Sequence, residues 1–156
     1  MHITGRIRNA TLKDFERMVD LEQLCFQKEH AYSRRQLRYL LTKAHSTVLI
    51  EESDNLIRGF LIILYSKGTT VAGIETINVD PSYRNKGIGR RLLTSAEEHL
   101  RKKGIRKIRL EAAITNQVAL KLYEHAGFKK IKLLRHYYYF DHEGTRDAYR
   151  MVKELL

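Results

Sequence analysis

Residues 74–93 constrain the fold of this chain more than any other part of its sequence. The first third of this stretch is apolar and β-branched, which is typical of a buried strand, and Pro81 helps to end that strand. A short basic loop with Gly87 and Gly89 follows. It leads into a segment whose apolar residues recur at helical spacing: Leu92, Leu93, Ala96 and Leu100. The first N–H groups of a helix have no partners within the helix, so this strand, loop and helix predict a site that binds phosphate through the main chain.

The residues around the loop exclude two common phosphate-binding motifs. A Walker loop ends in Gly-Lys-Ser/Thr, whereas Gly89 is followed by Arg90 and Arg91. A dinucleotide fingerprint needs a third glycine three residues after the second, and this position holds Leu92. The phosphate ligand is therefore expected to belong to another class.

Two motifs resemble those of the GNAT acetyltransferases. The loop Arg84-x-x-Gly87-x-Gly89 resembles the Arg/Gln-x-x-Gly-x-Gly/Ala segment with which this family binds the pyrophosphate of acetyl-CoA. Residues 116–128, NQVALKLYEHAGF, match the family's Asn-x-x-Ala-x-x-Leu-Tyr-x-x-x-Gly-Phe. Because both motifs occur in the family's order, the chain is identified as a member, and this implies acetyl-CoA as the cofactor.

The periodicity predicts one α/β (α+β) domain over residues 1–156, with seven strands and four helices. Strands are predicted at 3–8, 47–51, 56–65, 71–79, 105–112, 128–140 and 147–155, and helices begin near Thr11, Ser33, Gly89 and Asn116. Short turns join the second, third and fourth strands into an antiparallel meander, whereas the strand–helix–strand unit that follows favours a parallel pair. The resemblance implies the GNAT fold, a mixed, mostly antiparallel sheet flanked by helices, with a V-shaped splay between the fourth and fifth strands.

The net charge of +11 indicates an acidic ligand or partner, such as a polyphosphate cofactor, ribosomal RNA or an anionic surface. A binding module for RNA or the ribosome is therefore a non-enzymatic alternative, and ribosome association is also considered for an enzyme. Cys25 is the one cysteine, which excludes a disulfide framework and a clustered thiolate site, and we expect no metal. Because no apolar run approaches roughly 18 residues and no apolar signal region follows the N-terminus, we expect a cytoplasmic protein that binds no membrane.

The predicted cofactor site extends from the loop to both flanking elements. The main-chain donors are expected to be Asn85, Lys86, Gly87, Ile88, Gly89 and Arg90. The side chains of Arg84, Lys86, Arg90 or Arg91 either reach the outer phosphates or form a solvated basic face. The resemblance implies that Ile77, Asn78 and Val79 pair with the pantetheine arm like an extra strand and polarise the thioester carbonyl. Asn116 is expected to cap its helix, to bind the cofactor, or to do both.

Three residues are candidates for the proton transfers. On spacing alone Tyr123 is an ordinary core tyrosine, but its place in the Leu-Tyr pair of the motif implies the proton donor to the departing thiolate. Glu111 ends a predicted strand and matches the Leu-Glu of the ribosomal-protein alanine N-acetyltransferases of the RimI type, which implies the general base. Glu75, on the strand before the loop, is the alternative base. Either carboxylate can also be a solvated group at the end of a strand.

The C-terminal part of the chain indicates which class of amine accepts the acetyl group. Tyr137 and Tyr138, followed by Asp147, Ala148 and Met151, resemble segments of RimI-type and other N-terminal acetyltransferases. The resemblance implies a protein or peptide N-terminus as substrate, with both tyrosines at its binding site, although tyrosines on strands also serve sheet packing. A small amine, such as a polyamine or an amino acid, is the alternative substrate.

Glu22 lies within the apolar arc of the first predicted helix, where an unpaired carboxylate is costly. It is expected either to pair with a nearby basic side chain or to face the substrate cleft.

Proton energetics favour an N-terminal amine as the acceptor. At pH 7 an α-amine needs about 1.4 kcal/mol to become neutral, against about 4.6 kcal/mol for a lysine.

Overall fold

The computed structural model describes residues 5–155, which form seven strands and four α-helices. The strands are β1 (Arg6–Asn9), β2 (Ser46–Ser53), β3 (Leu56–Tyr65), β4 (Val71–Val79), β5 (Lys107–Ala113), β6 (Lys129–Leu134) and β7 (Ala148–Glu154). The helices are α1 (Phe15–Cys25), α2 (Arg34–Thr42), α3 (Ile88–Lys102) and α4 (Gln117–His125). Short 3-10 turns at Leu12–Asp14 and Pro81–Tyr83 precede α1 and follow β4.

All seven strands form one sheet in the order β1-β2-β3-β4-β5-β7-β6. The pairing of β4 with β5 is parallel and every other pairing is antiparallel. This confirms the predicted mixed, mostly antiparallel sheet, including the meander from β2 to β4. Within residues 5–155, no helix is both long and apolar enough to span a bilayer.

Helices cover both faces of the sheet, and each face has its own apolar core. Helices α1 and α2 pack on one face, where Met18, Leu21 and Leu37 are fully buried. Helices α3 and α4 pack on the other face, with Leu92 and Leu100 in its centre. Four successive β3 residues have no exposed surface: Phe60, Leu61, Ile62 and Ile63. Such a run is typical of a strand that is covered on both sides.

The sheet opens between β4 and β5. The two strands are in register only over Val71–Gly73 and Lys107–Arg109, at their N-terminal ends. On the other side of β4, Ile62 pairs with Thr76 and Ile63 pairs with Ile74, so Glu75 is one extra residue in the ladder. A bulge of this kind bends and twists its strand, which turns the remainder of β4 away from β5. The predicted V-shaped splay is confirmed.

One predicted boundary is wrong. The strand predicted at 128–140 ends at Leu134, and residues 135–147 form an irregular loop, in which His136 and Glu143 both have φ of 54°. The helix start expected at Thr11 is confirmed: Thr11 caps a 3-10 turn at Leu12–Asp14 that continues directly into α1 at Phe15. The first strand begins at Arg6, and the start predicted for it at residue 3 lies outside the described residues.

Candidate active site

The main chain of β4 turns alternate hydrogen-bonding groups toward the gap. The N–H of Asp80 donates to the carbonyl of Arg58 in the β3–β4 ladder at 2.7 Å. Because the direction of these groups alternates along an antiparallel strand, Asn78 also turns its main chain to β3, whereas Ile77 and Val79 turn theirs away from it. The carbonyl of Val79 accepts a hydrogen bond from the thiol of Cys25 at 3.3 Å.

The basic loop leads into α3 as predicted. Gly87 occupies the position before the helix with φ of 80°, and the first intrahelical bond runs from Arg91 N–H to the Gly87 carbonyl at 3.0 Å. The N–H groups of Ile88, Gly89 and Arg90 precede this bond and are therefore not used within the helix. Together with the helix dipole they form an anion-binding end.

The side chains of the loop divide into two groups. Three basic residues are exposed: Arg84, Lys86 and Arg90. Arg91 instead forms an ion pair with the buried Glu51, so it has a structural partner and does not join the exposed set.

The two glycines of the loop serve different purposes. Gly87 adopts a left-handed conformation, and no atom lies within 4 Å of the place where a Cβ would be, so its requirement is conformational. Gly89 lies against α4, where a Cβ would come within 3.3 Å of Leu122 Cδ2. Gly89 therefore permits the close approach of α3 and α4.

Helix α4 begins at the asparagine of the second motif. The side-chain oxygen of Asn116 accepts a hydrogen bond from Ala119 N–H at 3.1 Å, which is the expected N-cap. Two turns later, Tyr123 is buried beside Phe128 with a distance of 6.0 Å between ring centroids. Burial raises the pKa of the Tyr123 phenol to about 12. The hydroxyl is therefore protonated at neutral pH.

The carboxylate of Glu111 is held by neighbours on two other segments. Glu111 is opposite Arg150 in the β5–β7 register, and Arg150 Nε donates to its Oε2 at 3.0 Å. The hydroxyl of Tyr137 donates to Oε1 at 3.3 Å. Arg109 Nε lies 3.5 Å from Oε2. Glu111 is thus an oriented carboxylate at the edge of the gap.

The alternative carboxylate, Glu75, also lies near Tyr137. Glu75 is the bulged residue of β4, and it accepts a hydrogen bond from the hydroxyl of Tyr32. The pKa of Tyr137 is raised by burial and further by the negative charges of Glu111 and Glu75. The two candidate bases lie on the two strands that diverge, and both raise the pKa of the Tyr137 phenol.

Glu22 is buried on the α1 side of β4, with 1% of its surface exposed. Its carboxylate accepts hydrogen bonds from Tyr32 N–H at 3.0 Å and from Asn78 Nδ2 at 3.2 Å. Burial raises the pKa of this carboxyl, although both hydrogen bonds oppose the shift. Among residues 5–155 no basic side chain forms an ion pair with Glu22, so the basic partner that was one of two expectations is not found.

An aromatic cluster joins the loop before β7 to the connection between α1 and α2. Tyr138 stacks on His142 at 4.4 Å, and His142 lies 4.1 Å from His30 between ring centroids. Phe26 and Phe140 complete the cluster. Burial lowers the pKa of His142, and the charge of His30 lowers it further. The cluster fixes the Tyr138 ring and links the loop before β7 to the α1–α2 connection.

Tyr32 and Arg150 belong to this site but were not identified from the sequence. Arg150 meets Glu111 only through the register of β7, which local periodicity does not give. Tyr32 ends the polar connection after α1, directly before the Ser33 cap of α2, and its role depends on the path of that connection. Within the described part of the chain, no group of three or more His, Cys, Asp or Glu side chains could hold a metal ion.

Comparisons with known proteins agree with the geometry. The model of the Acetyltransferase (GNAT) family matches residues 15–128. An N-alpha-acetyltransferase of Sulfurisphaera tokodaii is 29% identical over 169 residues, which cover 96% of this chain and 93% of the relative. The N-alpha-acetyltransferase RimI of Mycobacterium tuberculosis is 31% identical over 146 residues, which cover 92% of this chain and 89% of the relative.

A similar fold is found among solved structures. The crystal structure of the ribosomal-protein-S18-alanine N-acetyltransferase from Escherichia coli superposes with a TM-score of 0.86 at 24% identity, over 97% of this chain and 94% of that one. At this identity the likeness shows the fold.

Proposed function

Because this chain belongs to the GNAT acetyltransferase family, whose members use acetyl-CoA, we propose that it transfers acetyl to the α-amine at the N-terminus of a protein or peptide. The observation that carries the proposal is the opening between β4 and β5, where the Tyr137 hydroxyl donates to Glu111 and the Tyr32 hydroxyl donates to Glu75. An amine that enters this opening finds negative charge and phenolic hydroxyls around it.

The residues of this chain fit the phosphate and pantetheine parts of acetyl-CoA. The N–H groups of Ile88, Gly89 and Arg90 at the start of α3 suit the pyrophosphate, and the exposed Arg84 and Lys86 add positive charge beside them. Ile77 and Val79 have main-chain groups that point into the gap and suit an extended arm. Acetyl-CoA supplies an activated acetyl group when it is bound.

Tyr123 is proposed to donate the proton that the departing thiolate needs. Its hydroxyl keeps its proton at neutral pH because burial raises its pKa to about 12. Its ring is fixed by packing against Phe128, which orients the hydroxyl. A positioned acid of this kind typically contributes about 10²-fold or more to the rate.

Glu111 is proposed to take the proton from the amine through a water molecule. The hydrogen bonds from Arg150 and Tyr137 hold the carboxylate in one orientation at the gap. An α-amine needs only about 1.4 kcal/mol to lose its proton at pH 7, so a modest base is sufficient. The main-chain N–H groups of Ile77 and Val79 are proposed to stabilise the negative charge on the acetyl oxygen.

The acceptor is proposed to lie between the gap and the aromatic cluster. Tyr137 and Tyr138 would contact the first residues of the peptide. Glu22 would support this site indirectly, because its carboxylate orients the Asn78 side chain and the Tyr32 main chain. Two relatives that align over most of this chain are named N-alpha-acetyltransferases. The structural neighbour from Escherichia coli is named for an alanine of ribosomal protein S18, which makes ribosomal-protein N-termini the first substrates to examine.

The experiment is acetylation of a peptide panel with mass-spectrometric mapping of the product. The panel contains peptides with free Ala, Ser or Met N-termini, the same peptides with blocked N-termini and an internal lysine, and the polyamine spermidine. We expect one acetyl group on the free N-terminus and none on the blocked peptides. Acetylation confined to lysine or spermidine would refute the proposed substrate, and no transfer to any amine would refute the activity.

A further inference from the structure

A group of basic residues lies at the end of the molecule away from the cofactor loop. Helix α3 begins at that loop and spans 15 residues, so its other end is about 22 Å away. There the connection from α3 to β5 meets the turn between β3 and β4, since Arg106 N–H donates to the Thr70 carbonyl at 2.8 Å. We name this surface the basic pole and define it by Lys67, Lys102, Lys103 and Arg106.

The basic pole has no acidic partners of its own in the part of the chain that the structure describes. Two cations next to it are neutralised, because Arg101 lies 3.6 Å from Glu97 and Lys107 lies 3.7 Å from Glu154. Among residues 5–155, no ion pair involves the four residues that define the pole. All four are exposed. Their positive charge is therefore available to a partner.

Stabilisation of α3 does not account for this arrangement. Cations in the last turn of a helix offset its dipole by about 0.3 to 1 kcal/mol each. Lys102 lies in that turn, but Arg106 follows the helix and Lys67 lies on a separate turn. Like charges that the fold brings together from separate segments repel one another, which destabilises the folded state. Binding of an anionic ligand therefore explains the basic pole better than a contribution to stability does.

A polar cavity adjoins the basic pole. It has a volume of about 300 Å³, at the lower end of the range for ligand sites. Lys103 lines it, together with Asn9, Ser46, Thr47 and His99. The Thr47 hydroxyl is hydrogen-bonded to Tyr65 at 2.8 Å, and the Lys103 ammonium lies 5.0 Å from the centre of the Tyr65 ring. The Ser46 hydroxyl donates to the Leu40 carbonyl at 2.6 Å, and Thr47 also lies 3.3 Å from His99 Nε2. Among the described lining residues, the exposed Asn9 amide and the Lys103 ammonium therefore remain for a ligand.

We propose that the basic pole and this cavity bind RNA. The cations contact successive phosphates, and the polar cavity receives a ribose, whose 2′-hydroxyl can exchange hydrogen bonds with groups such as the Asn9 amide. Charge complementarity selects a polyanion, and the hydroxyl-binding cavity selects RNA over DNA. The pole is remote from the proposed site of acetyl transfer, so both activities can proceed at once.

The test compares two triple variants that lose the same net charge. The pole variant carries Lys67→Gln, Lys102→Gln and Arg106→Gln. The control variant carries Lys13→Gln, Arg35→Gln and Lys129→Gln, three exposed cations for which the described residues include no ion-pair partner. Binding of a fluorescein-labelled RNA hairpin is measured by anisotropy over a range of salt concentrations. We expect the pole variant to bind about tenfold or more weakly, with a salt dependence reduced by about two to three contacts, and the control to change little.

Three outcomes would overturn the proposal. The first is an equal loss of affinity in both variants, which would assign binding to overall charge. The second is competition by duplex DNA of the same length that equals or exceeds competition by the RNA. The third is tighter binding to vesicles that contain phosphatidylglycerol. Thermal unfolding checks that the variants are folded, and acetylation of a free peptide is assayed separately, so the failure of one proposed activity is distinguishable from that of the other.

Discussion

Individual residues of the candidate site owe their charge state to their surroundings. Tyr123 is buried and keeps its proton, whereas Glu111 is fixed beside Arg150 and Tyr137 as an oriented acceptor. Glu22 is buried with hydrogen bonds, no cation among residues 5–155 pairs with it, and burial raises its pKa. An acid and an acceptor with separated environments are the arrangement that proton transfer in two directions requires.

Replacing Tyr123 by Phe should remove the acid and leave the packing intact. The ring contact with Phe128 remains, so we expect kcat to fall by about 10²-fold or more while coenzyme A affinity stays the same. Steady-state release of the thiol gives kcat, and calorimetry gives the affinity. A kcat within about twofold of the wild-type value would show that another group supplies the proton.

Replacing Glu111 by Gln should remove the proposed base and slow transfer to the amine. Gln keeps the shape of the side chain but cannot accept the proton, so we expect kcat/KM to fall by about 10²-fold. Glu75→Gln is the matched variant, on the opposite strand and beside the same Tyr137. Steady-state kinetics with a free peptide measure kcat/KM for both variants. If Glu75→Gln lowers kcat/KM by about 10²-fold and Glu111→Gln does not, the two roles must be exchanged.

At the scale of elements, the site depends on two local departures from regular structure. The bulge at Glu75 turns the end of β4 away from β5, and the left-handed Gly87 turns the chain into α3. The first departure creates the gap and the second presents the helix N-terminus to it. A β4 strand without the bulge would not leave the gap, and a loop without the left-handed residue would not turn the start of α3 toward it.

Replacing Gly87 by Ala should weaken cofactor binding through the backbone. Its φ of 80° is unfavourable for Ala by about 1 to 2 kcal/mol, and no atom within 4 Å opposes the new Cβ. Gly68→Ala is the matched control, because Gly68 has φ of 74° in equally open space but is remote from the loop. Chemical denaturation should show similar losses of stability, whereas calorimetry should show reduced coenzyme A affinity only for Gly87→Ala. Equal affinities in both variants would contradict the role of this loop.

Local patterns predicted most of these elements. Strand and helix periodicity, with the Ser33 and Asn116 caps, placed the meander, the parallel pair and α3 close to where they lie. The bulge was not predicted, because one extra residue in a strand has no signature without the partner's register. The end of β6 was misplaced because the aromatic residues after Leu134 have strand propensity but pack in the cluster around His142.

At the scale of the whole molecule, a buried ion network joins strands β2 and β3 to helix α3. Glu51 of β2 has no exposed surface and forms ion pairs with Arg58 of β3 and Arg91 of α3. This network crosses from the sheet to the helix that presents the cofactor loop. It was not predicted from the sequence, because its members are distant along the chain.

Replacing Glu51 by Gln should destabilise the protein and change its response to acid. Burial alone would raise the pKa of Glu51, but hydrogen bonds from Arg58 and Arg91 outweigh burial and lower it below 4.5. The stabilisation is therefore present above about pH 4.5 and is lost as the pH falls through the lower, folded pKa. At pH 7 we expect a loss of about 3 to 5 kcal/mol by chemical denaturation, with a weaker pH dependence below pH 4.5.

The exposed pair of Glu16 and Arg34 provides the control for this prediction. Glu16→Gln should leave the free energy of unfolding nearly unchanged, because solvent screens such a pair. Similar losses in the two variants would contradict the special role of the buried network.

A sheet that parts in its middle has four borders instead of two. The outer borders are β1 and β6, and the inner ones are the diverging halves of β4 and β5, whose N–H and C=O groups are ready to pair with any extended chain. A pantetheine arm in this gap would occupy the inner border of β4. Bound coenzyme A should therefore prevent this part of β4 from pairing with another copy of the chain. Light scattering of the concentrated protein should fall when coenzyme A is added.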